Sequence, residues 1–125
     1  MRIFVTKWFD RWARKEKITD GCLCDAIEEM EKGLIDANLG GNLYKKRVAR
    51  TGRGKGGSYR TLVAFKAGGK SFFVYGFAKN EKGNIDNDEK RALKALAKEY
   101  FGLDERQLKA ALDNGKFRRL RYDDE

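Results

Sequence analysis

No histidine occurs anywhere in the 125 residues, which removes the commonest general base and the commonest metal-binding side chain together. Proline is absent as well. Only two cysteines are present, Cys22 and Cys24. Two positions apart on an expected helix, they point to different faces, cannot hold zinc alone and suit no structural disulfide, as in a chain kept reduced in the cytosol. No apolar run is long enough for a signal peptide or a membrane span, and the opening MRIFVTKWFDRW interleaves charges with aromatics. A soluble, cytoplasmic protein without membrane contact is expected. The length suits a single domain, 1–125, able to bury a core without staples.

The most informative absence is local. Residues 37–80 carry ten Lys or Arg and no Asp or Glu. The flanks are close to neutral, with seven basic and eight acidic side chains in 1–36 and eleven of each in 81–125. The central block therefore holds the whole net charge of +9. A patch for phosphate, or for an acidic protein partner, explains this better than a solvated face does.

The periodicity outlines the elements. RIFVT (2–6) reads as a strand, and Thr6 can cap a helix with Trp8, Phe9, Trp12 and Ala13 on one stripe. Thr19 can cap a second helix with an inner face of Leu23, Ala26, Ile27, Met30 and Leu34, closed near Gly33. NLYKKRVAR, SYRTLVAFKAG and KSFFVYGFAKN then read as three strands of an antiparallel meander, with a hairpin turn at AGGK (67–70) and a longer loop between Arg50 and Ser58. A helix with Leu93, Leu96, Ala97, Tyr100 and Phe101 follows, and Asp104 with Gln107 forms a capping box for a last short helix. The tail from Lys116 suits an edge strand or a disordered end. The expected class is α+β: a small antiparallel sheet with an N-terminal helical hairpin and C-terminal helices, the helices on one face. Its core spans about 1–101, with a helix and tail over 102–125.

The glycine-rich stretch around Gly54-Lys55 is not a nucleotide-binding P-loop. Gly56 stands where that motif needs Ser or Thr, Ala49 replaces its first glycine, and the flanks are strands. A basic flap over a polyanion fits better, with Arg53 and Lys55 following phosphates. In the strands, Lys45 and Arg47 alternate and so share a face, and Arg60 interrupts an otherwise apolar run on the next strand.

The order strand, two helices, basic strand, SYRTLVAF, aromatic strand, AKNE, helix resembles RelE-type toxins of the RelE/ParE superfamily, from type II toxin–antitoxin modules. The resemblance covers roughly residues 1–101 and is nearest to the RelE/HigB-like branch. Its most specific part is YKKRVAR paired with GGSYR and followed by FFVYGFAKNE. It implies a ribosome-dependent endonuclease that cuts mRNA without a cofactor or metal, with Lys45, Arg47, Arg60 and Lys79 as catalytic residues. Lys46, Arg50, Arg53, Lys55, Tyr75 and Asn80 would bind RNA. Asn80 stands where family members commonly carry a second basic residue, and Ile85 and Asp86 lie near the place of a tyrosine found in some of them. Tyr75 is a candidate substitute. The implied partners are an adjacent antitoxin of helix-turn-helix type, mRNA on the ribosome, and operator DNA through the antitoxin complex alone.

RNA brings its own nucleophile, the 2′-OH. Lys45 is then a candidate base if neighbouring cations lower its pKa, and Arg60 a fixed donor fork for the charge on the phosphorane. Two other readings compete: a ParE-like gyrase inhibitor, which needs no cation cluster on its sheet, and a plain RNA-binding module.

Overall fold

The computed structural model describes residues 1–49, 58–78 and 82–121. Strand β1 (Arg2–Thr6) runs directly into α1 (Lys7–Lys15). Thr6 ends the strand and caps the helix, its hydroxyl accepting from the Phe9 N–H at 3.2 Å. Thr19 does the same for α2 (Asp20–Glu31), accepting from the Cys22 N–H at 3.2 Å. That helix stops where Gly33 takes φ 90°, a left-handed conformation that glycine adopts without strain. Leu34 is consequently thrown off the helix and is 57% exposed, not on its inner face as the spacing predicts.

Four strands follow: β2 (Ala37–Gly40), which the periodicity does not announce, β3 (Leu43–Ala49), β4 (Ser58–Phe65) and β5 (Lys70–Ala78). Helices α3 (Asn87–Phe101) and α4 (Glu105–Asp113) come next, each with a capping box, Asp86/Glu89 and Asp104/Gln107. The chain then forms an edge strand, β6 (Phe117–Leu120). No described helix is long and apolar enough to cross a membrane.

Two features correct the expected architecture. The described strands form one sheet of order β2-β3-β4-β5-β1-β6, and β1 runs parallel to β5 while the other pairs are antiparallel. The sheet is therefore mixed. Helices also cover both of its faces. α1 and α2 pack on Ile3, Val5, Val63, Phe65 and Phe73, whereas α3 and α4 pack on Phe4, Leu62, Ala64, Phe72 and Phe77. Burial on both sides is why β4 reads as almost continuously apolar after Arg60.

Close packing pins both layers. Phe72 meets Phe4 at 5.2 Å and Tyr100 and Phe117 at 5.3 Å between ring centres, joining β5 to β1, α3 and β6. On the other face Trp12 lies on Gly76, where an added Cβ would fall 2.3 Å from the indole. Arg118 of β6 reaches both Asp10 of α1 and Asp20 at the start of α2, at 3.0 and 2.9 Å.

Candidate functional site

Strand pairing places the basic residues. Lys45 lies opposite Leu62, which lies opposite Tyr75; one step along, Arg47 lies opposite Arg60, which lies opposite Phe77. Leu43, Leu62 and Phe77 belong to the α3/α4 core. Side-chain alternation therefore turns Lys45, Arg47 and Arg60 to that same face. α3 begins only at Asn87 and buries its Leu93, Ala97 and Tyr100 further along, so the cations occupy a half-open end of the sheet.

Arg47 and Arg60 are cross-strand neighbours of like charge, a pairing that costs roughly 0.2–1 kcal/mol of folding stability. Among the described residues neither they nor Lys45 forms a side-chain ion pair. Arg60 donates to the Ser58 hydroxyl at 3.1 Å, and Lys45 to the Asn84 side-chain carbonyl at 3.5 Å. Asp36 is close, but its carboxylate accepts from the Arg47 backbone N–H at 2.5 Å, and its own N–H bonds the Lys45 carbonyl at 3.1 Å. It thereby extends the pairing along β3 by one residue ahead of the start of β2.

Lys46, grouped by the sequence with the RNA contacts, points the other way. It is 6% exposed beneath α2, pairs with Glu29 at 2.7 Å and donates to the Leu34 carbonyl at 3.0 Å. Alternation makes this unavoidable once Lys45 and Arg47 share the opposite face. Arg50, Arg53 and Lys55 lie outside the described residues, as do Lys79 and Asn80.

The chain after β5 adds two residues that motif reading missed. The ammonium of Lys82 bonds the carboxylate of Glu89 and sits 5.6 Å from the centre of the Tyr75 ring. The Tyr75 hydroxyl also donates to Glu89, at 3.5 Å. The hydrogen bond from Lys82, helped by the Asp86 N–H, holds the Glu89 carboxyl below the usual carboxylate range. That same bond is the chief cause that raises the pKa of the Lys82 ammonium. The available signal was the Asp86-x-x-Glu89 capping box, which fixes Glu89 at the head of α3.

A bulge completes the wall. Leu62 pairs with Tyr75 but Val63 pairs with Phe73, so Val74 is an extra residue. Val74 and Tyr75 thus both face the α3 side. Trp8, placed by its spacing on the buried stripe of α1, is instead 46% exposed and stacks on Tyr75 at 4.9 Å.

A groove of about 570 Å³ lies elsewhere, between α2 and the outer edge of β3. Asp25, Glu29 and Asp36 line it beside Lys46 and Arg47, so it lacks the uniform charge a polyanion needs. No group of three metal-binding side chains occurs among the described residues. The arrangement on the α3 face can cradle a phosphate between two guanidinium forks, with Lys45 one row along.

Residues 1–120 match the family model of the RelE toxin of the RelE/RelB toxin–antitoxin system. No curated protein is significantly similar to the chain.

Proposed function

The chain belongs to the RelE toxin family, so it is the toxin half of a toxin–antitoxin pair, and on that premise we propose that it is a ribosome-dependent mRNA endonuclease. The observation that carries this reading is the Arg47–Arg60 opposition, with Lys45 one step away and no side-chain ion pair to any of the three among the described residues. Such a cluster costs stability and has no packing purpose, whereas a bound phosphodiester would relieve its repulsion. A gyrase inhibitor has no use for it.

In the proposed reaction the 2′-oxygen attacks the adjacent phosphorus and the bond from phosphorus to the 5′-oxygen breaks. The products are a 2′,3′-cyclic phosphate and a 5′-hydroxyl. Lys45 takes the proton from the 2′-OH, and the departing 5′-oxygen takes a proton from water. Arg60 donates its fork to the non-bridging oxygens as charge develops there, a contribution that grows towards the transition state. Arg47 and Lys79 hold the strand, and Lys82, fixed in place by Glu89, offers a further donor to it. The ribosome fixes the mRNA in line for attack. The partner antitoxin, of helix-turn-helix type in this reading, covers the cations with an acidic segment and contacts operator DNA on behalf of the complex.

The test is to induce the protein in bacteria, map transcript 5′ ends, and repeat the reaction on programmed ribosomes with a 2′-deoxy nucleotide at the cut site. New ends inside coding regions and no cleavage of the deoxy substrate are expected. Normal cutting of that substrate makes water the nucleophile, and intact transcripts with disturbed DNA supercoiling point to gyrase.

A further inference from the structure

We propose that the groove beside Trp8 receives an unpaired nucleobase from the RNA strand whose phosphate lies on Arg47 and Arg60; this rests on the ribonuclease reading above. The groove holds about 430 Å³ and is lined by Trp8, Val74, Tyr75, Leu93, Leu96 and Tyr100. It exists because β1 pairs with β5 only as far as Val5 and Phe73. Beyond that point the chain leaves as α1, and the bulge at Val74 turns two successive side chains into the gap.

Trp8 is the feature that core packing does not explain. Its helix neighbours Phe9 and Ala13 are buried, yet this large apolar ring stays 46% exposed. It is nonetheless held in place. Trp8 stacks on Tyr75 at 4.9 Å and 25°, and lies nearly parallel to Trp12 at 6.3 Å and 10°. A flat, preorganised and partly exposed indole is what an unstacked base requires, and every base has a π-face to offer.

Position and charge select a nucleotide over an apolar peptide side chain. Tyr75 shares a register row with Lys45 and is the diagonal neighbour of Arg60, about 7–8 Å away on the same face. That is the reach from a phosphate to a nearby base. Lys7 and Lys116, which line the groove, are exposed cations, and among the described residues no acidic side chain lines it. A flat apolar group joined to anions fits, so Trp8 is assigned the role of placing one base beside the scissile phosphate.

The experiment measures binding of a short 2′-O-methyl oligoribonucleotide, which cannot be cleaved, at low salt by tryptophan fluorescence. The wild type is compared with Trp8→Ala, Trp8→Phe and Arg60→Ala, and the oligonucleotide with versions abasic at each position in turn. Circular dichroism checks folding, which Trp8→Ala should keep because the ring is half in solvent. Trp8→Ala should weaken binding roughly 5- to 150-fold, and Trp8→Phe much less. One abasic position should weaken the wild type and leave Trp8→Ala indifferent. If Arg60→Ala loses affinity while Trp8→Ala binds normally, the base subsite is wrong and the cation site stands. If the wild type does not bind, the base subsite falls while cleavage on the ribosome is judged by the test above; if Arg60→Ala binds as well as the wild type, the phosphate does not lie on Arg60 and the subsite falls with the cation site. Loss of antitoxin binding by Trp8→Ala with RNA affinity unchanged makes the groove a protein dock and overturns the proposal.

Discussion

Replacing Arg60 by Ala should move activity and stability in opposite directions. On the activity side, losing one preorganised donor to a developing oxyanion costs on the order of 10²–10³ in rate. Arg60→Lys should recover little, because an ammonium cannot reproduce a two-pronged contact. On the stability side, Arg60 faces Arg47 directly, and its side chain is held by Ser58 and not by any described carboxylate. Removing it relieves about 0.2–1 kcal/mol of cross-strand repulsion. Part of that gain is offset by lost contact of its half-buried stem. The net should lie between no change and about 1 kcal/mol of stabilisation, a rise in Tm of at most about 4 °C for a chain of this length. The gain should shrink with added salt, since the repulsion is between partly exposed charges. Single-turnover cleavage on programmed ribosomes measures the first quantity, and thermal denaturation at two salt concentrations the second. A Tm several degrees below wild type would refute the reasoning, because Arg60 would then be holding the sheet together. Undiminished cleavage by the Ala variant would remove it from the site altogether.

Other perturbations separate the clasp, the core and the ion-pair network. Glu89→Gln keeps the capping box with the Asp86 N–H but drops the charge that holds Lys82. Its Tm should stay near wild type while cleavage falls by between several-fold and about 10²-fold; an unchanged single-turnover rate would show that the clasp is dispensable. Gly76→Ala should destabilise the fold by roughly 1–3 kcal/mol or more, since its methyl would lie 2.3, 2.6 and 2.8 Å from three Trp12 ring atoms. Denaturant titration measures this, and an unchanged midpoint would mean the indole moves aside freely. Asp20 is held below the ordinary carboxylate range, chiefly by its hydrogen bonds from Arg118. At Asp10 burial pushes upward, but the bonds and charges of Arg118 and Arg14 together outweigh it and leave a lowered value. Lowered carboxylates stabilise the fold above their unfolded pKa of about 3.9, and that contribution is lost as pH falls through the folded values. Arg118→Met should therefore flatten the loss of stability below about pH 4; a melt series from pH 3 to 7 in which both proteins fall in parallel would contradict this.

Local chemistry was legible in the sequence wherever a short stretch suffices to define it. Thr6, Thr19 and the Asp104/Gln107 pair cap helices as their spacing indicates, because a cap joins residues two or three apart. The acid-free block and the alternation of Lys45 with Arg47 likewise put cations on one face of a strand before any partner was known. What alternation cannot supply is which of two buried faces that is, since β4 and β5 are apolar on both. Tertiary structure decided that α3 leaves the Lys45 and Arg47 side half open while α2 closes over Lys46. It also decided that β1 enters beside β5 in parallel, through contacts nearly seventy residues apart. The meeting of Arg60 with Arg47, the Val74 bulge and the exposed Trp8 all follow from strand register and from where β1 departs. Register is a property of pairs of strands, settled by the packing of the whole sheet, and no single segment contains it.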